Sequence, residues 1–406
     1  MSDSEEPLPL EGLKVLDVST FIAAPAAAVA LADYGADVIK IEAPGEGDPH
    51  RHNYKRAPTY PRSENNFPLQ LDGRLKRSIA LDLKNEQARP VLEKLVKRSD
   101  VMIVNFPPPA RERLRLRWQD MEALNPRLVY CSLTGYGESG PDRDRPGFDV
   151  TAYFGRSGIL DSARYEGGPP GLSMPAQGDR ATAMTLVAAI LLGLRRRDRT
   201  GKGGWVGSSL YANGAWANGT TLAGAAIGAK LVTREPPDRP RNALTNLYRT
   251  KDDRWLQLLM VRDDRLFETF CKVMGLPQLV TDPRYTDREE RKRRARELHA
   301  VIAPVFASRT YAEWATILAP TGIPFGVIER VADVVQDEQA DHAGIFAETD
   351  NPAVPRTVNN PIRLGFARPR KSGVPAGVGQ HSEEILRELG HSEADIATLK
   401  KSGAVG

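Results

Sequence analysis

Short β-branched runs alternate with helix-length stretches along the first third of the chain, and this alternation limits the possible folds more than any other feature. "GLKVLDVS" (12–19) reads as a buried strand, "APAAAVALADYG" (24–35) as an alanine-rich helix ended by Gly35, and "ADVIKIEAP" (36–44) as a second strand closed by proline. "RSIALDL" (77–83), "NEQARPVLEKLVKRS" (85–99) and "DVMIVNF" (100–106) repeat the strand–helix–strand order, and "PRLVYCSLTGYG" (126–137) adds a further strand. Strands alternating with helices predict an α/β fold, a parallel sheet covered on both faces. Pro90 removes a helical N–H, so the 85–99 helix is expected to start late or to kink. The first strand is followed by "VSTFIAAP" where a G-x-G-x-x-G fingerprint would stand, which argues against NAD or FAD.

In "MPAQGDRATAMTLVAAILLGLRRRDRTGKG" (174–203), Met184, Val187, Ile190, Leu191 and Leu194 recur at helical spacing. The predicted helix spans 180–197, with Asp179 as its N-cap and Arg195, Arg196 and Arg197 at the negative end of its dipole. On these residues alone Asp179 is either a cap or a group with chemistry of its own. Residues 198–203 read as loop, and an Ala- and Gly-rich helix is expected over about 205–229. "REPPDRPRN" (234–242), with three prolines in nine residues, reads as a linker. A smaller α/β domain follows at about 243–327, with a strand at 254–261 and helices at 263–275, 286–306 and 310–320. Two capped helices, 381–390 and 391–403, end the chain.

The charge balance, 56 basic against 52 acidic residues, is too even for a nucleic-acid partner. The basic run Arg288–Arg296 is interleaved with Glu289, Glu290 and Glu297 and reads as a solvated helix face. Six histidines (50, 52, 299, 342, 381 and 391) form no H-x-x-x-H pair or cysteine cluster, so no metal is expected. Cys131 and Cys271 cannot make a disulfide framework. The N-terminus is acidic without an apolar signal core, and the longest apolar stretch, 184–194, is too short to cross a bilayer. These features predict a cytoplasmic protein with no membrane partner. Lys40, Lys84 and Arg113 stand near strand ends, and Asn105 and Phe106 close a strand. An amide, a flat ring and cations at such positions suit an adenine-plus-phosphate ligand.

The block "GLKVLDVSTFIAAPAAAVALADYGADVIKIEAPGEGDPHR" resembles the opening of the class III CoA-transferases. That superfamily includes formyl-CoA transferase, carnitine CoA-transferase and alpha-methylacyl-CoA racemase. "KRSIALDLK", "DVMIVNF", "NPRLVYCSLTGYGESGP", "GFDV", "GDRATAM", "RDRTGKGGWV" and "GQHSEEILRELG" follow in the family's order, from about residue 12 to 396. The resemblance implies a Rossmann-like large domain built from both chain ends (1–229, and a return segment at 328–406), a linker at 230–242, an inserted small domain at 243–327 and an interlocked, ring-like homodimer. It implies acyl-CoA and a small carboxylic acid as substrates. Asp179 falls on the family's catalytic aspartate, which carries a mixed anhydride and then an aspartyl-CoA thioester. Ile22, Ala23, Leu81, Lys84, Asn105, Phe106 and Arg113 fall on its coenzyme A contacts. At the N-terminus of a helix, Asp179 is expected to stay ionised, with turn amides near Gly178 as candidate oxyanion donors.

Three departures qualify the likeness. The racemases carry His where Phe148 stands, and phenylalanine cannot move a proton, which favours transfer over racemisation. Many members place Arg after "IKIE" where this chain has Ala43, leaving Lys40 or Arg51 to meet a phosphate. "DRPRNALTNLY" holds no glycine where formyl-CoA transferases have a glycine-rich loop. The alternatives to a transferase are an acyl-CoA racemase or isomerase of the same fold and a non-catalytic CoA-binding protein.

Overall fold

The computed structural model describes residues 6–406 apart from 57, 59, 172 and 262. The chain forms two units. The first comprises 1–162, 171–230 and 341–406; the second comprises 163–170 and 231–340, wider than the expected 243–327.

The first unit is built on a parallel six-stranded sheet among the described residues, in the order β3-β2-β1-β4-β5-β6. Its strands are β1 (Lys14–Val18), β2 (Asp37–Glu42), β3 (Lys76–Ala80), β4 (Val101–Val104), β5 (Val129–Thr134) and β6 (Gly204–Ser209). The helices between and after them are α1 (Ala23–Asp33), α2 (His50–Arg56), α3 (Phe67–Gly73), α4 (Arg89–Arg98), α5 (Pro108–Arg113), α6 (Trp118–Glu122), α7 (Ile159–Ala163), α8 (Gln177–Thr200), α9 (Leu210–Ala217) and α10 (Gly219–Ala226). Strand residues alternate between two apolar faces. Val15, Val101 and Ile103 pack with α1 and α8 on one face. Leu16, Met102 and Val104 pack on the other with α4 and with Ile385, Leu386 and Ile396 of the C-terminal helices Ser382–Glu388 and Glu393–Lys401. The chain's last segments also satisfy the outer edge of β3. Ser78 N–H donates to His381 Nδ1 (3.1 Å), Ala80 N–H to Ser382 Oγ (3.1 Å), and Gly406 N–H to Ala80 O (3.1 Å).

Pro90 sits in the first turn of α4, which starts at Arg89 after a short 3₁₀ turn (Glu86–Ala88), so the late start is observed. The stretch expected as one helix over 205–229 is instead β6 followed by two short helices. Gly207 explains the difference: a Cβ there would lie 2.2 Å from Ser132 O, so the bare backbone presses against β5 as its sixth-strand partner. Local Ala and Gly content suggested helix, and long-range pairing overrode it. α8 runs on to Thr200, taking in the first three residues of the expected 198–203 loop, and stops at Gly201, whose φ is +72°.

The second unit has an antiparallel sheet in the order β7 (Thr245–Arg249), β8 (Trp255–Leu259), β9 (Phe325–Ile328). It packs with α11 (Asp263–Val273), α12 (Arg288–Arg293), α13 (Ala295–Phe306) and α14 (Tyr311–Leu318) around Tyr248, Leu258, Phe270, Phe306 and Trp314. The charged helix expected over 286–306 is broken at Arg294, whose ψ of 26° leaves the helical range. Residues 163–170 join this unit through a bridge between Tyr165 and Arg234.

Candidate active site

The order 3-2-1-4-5-6 places a topological switch between β1 and β4, where successive connections leave in opposite directions and open a crevice at the strand C-terminal ends. Asn105, just past β4, spans that crevice. Its Oδ1 accepts from Thr20 N–H (2.9 Å) and its Nδ2 donates to Thr20 O (2.7 Å), satisfying both backbone groups of the residue past β1. A cleft opens here, lined by Thr20, Phe21, Ile22, Ala23, Asn105, Phe106, the end of β5, the 143–148 segment and Asp179. Its far wall depends on a contact between two glycines: a Cβ on Gly135 would lie 2.8 Å from Gly147 Cα.

Asp179 enters this cleft from the first turn of α8, and it is not the N-cap. The helix begins two residues earlier, after Ala176 in the left-handed region (φ 62°), and no side chain of that residue caps it. The group that faces the helix start is Asp149, the first residue of a π-helical turn (Asp149–Arg156) packed against it. The backbone amides of Ala176 and Gly178 pull the Asp149 carboxyl down, which sets it beside the start of α8. Gly178 allows this packing, because a Cβ would lie 2.5 Å from the Tyr153 ring of the same turn.

The electrostatics also differ from the expected ionised cap. Burial pushes the Asp179 carboxyl up to about 7, and the neighbouring Asp149 and Asp72 add to the rise. Arg180 and His50 oppose it and are outweighed. Burial also raises Asp149, against the pull of the Val150, Ala176 and Gly178 amides, and its Oδ2 has no hydrogen-bond partner. Beside this pair, Asp72 accepts from Arg180 Nη2 (2.9 Å) and meets His50 Nε2 (3.1 Å). The Tyr60 phenol, raised by burial, also feels Arg180, Asp72, Asp179 and Asp149. Asp149, Tyr60, His50 and Asp72 were not picked out from sequence. Asp149 lay in the quoted "GFDV", and His50 was weighed only as a metal ligand.

Of the residues singled out from sequence, Ile22, Ala23, Asn105, Phe106 and Asp179 meet in one cleft. Leu81 is 1% exposed and belongs to the core beneath β3. Lys84 and Arg113 are exposed, make no salt bridge among the described residues, and lie outside the cleft lining. Neither Lys40 nor Arg51 is open to a phosphate. Lys40 is buried against Asp48 (2.8 Å), and Arg51 is held bidentately by Glu42 (2.7 Å each). Phe148 lines the cleft edge-on to Phe21, with ring centroids 5.8 Å apart. Among the described residues, no group of three or more His, Cys, Asp and Glu is arranged to hold a metal, and no helix is long and apolar enough to cross a membrane.

The model of CoA-transferase family III matches residues 10–382. The (R)-2-hydroxy-4-methylpentanoate CoA-transferase of Clostridioides difficile is 32% identical over 403 residues, covering 98% of this chain and 99% of its own. The succinyl-CoA:glutarate CoA-transferase of Mus musculus is 31% identical, covering 100% of this chain and 92% of its own. The crystal structure of a CaiB/BaiF-family protein from Brucella suis superposes with a TM-score of 0.82 at 28% identity, over 95% of this chain and all of that one.

Proposed function

This chain belongs to CoA-transferase family III and is a CoA-transferase, and we propose that it works through covalent intermediates on Asp179. The observation that carries the proposal is that Asp179 opens into the cleft formed by Ile22, Ala23, Asn105 and Phe106. In this mechanism an ionised Asp179 oxygen attacks the acyl-CoA carbonyl, the C–S bond breaks, and a mixed anhydride and CoA thiolate result. The thiolate attacks the aspartyl carbonyl and releases the donor carboxylate, leaving an aspartyl-CoA thioester. The acceptor carboxylate then attacks that thioester, and the returning thiolate takes the new acyl group and frees Asp179. A carboxylate raised to about 7 is half ionised near neutrality and more basic, hence more nucleophilic, than an ordinary one. The crevice at the switch point holds coenzyme A, with the exposed Lys84 and Arg113 as contacts for its phosphates and Leu81 as buried support.

The donor and acceptor are an acyl-CoA and a small carboxylic acid. The relatives' names pair hydroxy acids, aryl acids and dicarboxylic acids with CoA. Phe148 in the cleft supports transfer over racemisation, since it offers no second base. We also propose the interlocked homodimer, supported by large apolar side chains left bare on the first unit: Leu192 is 72%, Trp216 87% and Ile227 84% exposed.

The test is chemical trapping. Incubated with acyl-CoA alone, the wild type is expected to carry CoA on Asp179, and hydroxylamine to convert that thioester to a hydroxamate in the peptide containing Gly178–Arg180. Asp179→Asn is expected to lose transfer by several orders of magnitude and to show no adduct. Near-normal transfer by Asp179→Asn would refute the covalent route.

A further inference from the structure

Phe21 has φ +65°, a left-handed conformation that an aromatic residue adopts only when its surroundings impose it. It lines the Asp179 cleft on one side and a smaller cavity lined by Lys40, Glu42, Asp48 and Lys76 on the other. Phe21 N–H donates to Asp48 Oδ1 (3.0 Å), which also accepts from His50 N–H (2.9 Å). Asp48 Oδ2 pairs with Lys40 Nζ (2.8 Å), and the same ammonium donates to Ser19 O. Asp48 is fixed in turn by its own N–H, which donates to Glu42 Oε1 (3.0 Å). Lys40 and Asp48 are only 7% and 5% exposed, and neither lines the cleft.

We propose that the Lys40–Asp48 pair holds the Ser19–Ile22 turn in its left-handed conformation, so that Ile22, Ala23 and the Phe21 ring stay in place for coenzyme A. This rests on the assignment of the cleft as the coenzyme A site. Both are positioning residues: the pair grips Ser19 and Phe21 from behind, while Asn105 grips Thr20 between them from the crevice side. The turn is thereby anchored at three successive residues by side chains from three separate chain segments. It also explains why this lysine is turned inward rather than toward a phosphate.

The test separates charge from hydrogen bonding. Asp48→Asn and Asp48→Ala both remove one of the two negative charges facing Lys40, the other being Asp17 (3.8 Å), so both are expected to lower the melting temperature. In Asp48→Asn the two N–H donors of Phe21 and His50 keep the amide oxygen at its post, so the turn retains its anchor. Equilibrium titration with free CoA is expected to give Asp48→Asn within about threefold of wild type and Asp48→Ala weaker by about tenfold or more. Lys40→Met fills the lysine's volume without a donor for Ser19 O and is expected to weaken CoA by a similar factor, so the test stands even if Asp48→Ala does not fold. Equal CoA affinities in Asp48→Asn and Asp48→Ala, or wild-type affinity in Lys40→Met, overturn the proposal. A wild type that does not bind CoA overturns the site assignment instead, and the positioning role with it.

Discussion

At the scale of the residue, the decisive fact is that Asp179 is half-buried beside Asp149 rather than exposed as a cap. Transfer needs its ionised form, so the rate is expected to rise as pH increases toward about 7 and to level above it. Asp149→Asn removes a neighbouring negative charge and is expected to move that limb to lower pH; an unmoved limb would separate the two carboxyls. Stability carries the opposite sign. The folded-state value lies above the ordinary 3.8, so ionising Asp179 disfavours the folded chain. That penalty is absent below about pH 4, grows between 4 and 7, and is complete above 7. Asp179→Asn is therefore expected to be more stable than wild type at pH 8, by on the order of 2–4 kcal/mol, and to lose that advantage as pH falls. Melting curves at pH 8 and pH 5 check this, and an equal shift at both would oppose it. None of this was readable in the sequence, where Gly178-Asp179 before an apolar run looks the same whether the carboxyl is wet or buried.

At the scale of the element, α8 was readable and its beginning was not. Its apolar spacing and the Gly201 stop follow local rules, but the residue facing its N-terminus comes from about thirty positions upstream, and no local pattern announces such a contact. The π-helical turn escaped for the same reason, being held by the packing of Tyr153 against Gly178. Gly178→Ala tests that contact. The added Cβ would sit 2.5–2.8 Å from Tyr153 atoms, so a loss of about 1–3 kcal/mol in stability is expected. The displaced turn should also carry Asp149 away and shift the pH–rate limb. Unchanged melting and an unchanged pH profile would show that the turn yields freely. α2 and α3, which bring His50 and Asp72 beside α8, are seven residues each, too short for a periodic signal.

At the scale of the whole molecule, the βαβ alternation was enough to predict a parallel sheet, and the cleft followed from where its strands end. Five of the eight singled-out residues line that cleft because they close strands or open helices there. Lys84 and Arg113 lie past the strand ends, beyond what strand position alone can locate. The proposed interlocked dimer belongs to this scale too. Sedimentation at nanomolar concentration is expected to show dimer only, and a reversible monomer would remove the interlocking. One feature of the sheet also bears on how the protein is made. Its second face is covered in part by Ile385, Leu386 and Ile396, and the edge of β3 is satisfied by His381, Ser382 and Gly406, all from residues 381–406. A ribosome adding about 5–20 residues per second needs roughly ten to forty seconds to travel from the end of β6 to residue 406. Throughout that interval the six strands exist with one backbone edge bare and with one apolar face covered by α4 but not by residues 382–401. The nascent chain is therefore a natural client for chaperones, and an amino-terminal fragment ending after β6 should be made as an aggregate however complete its catalytic residues.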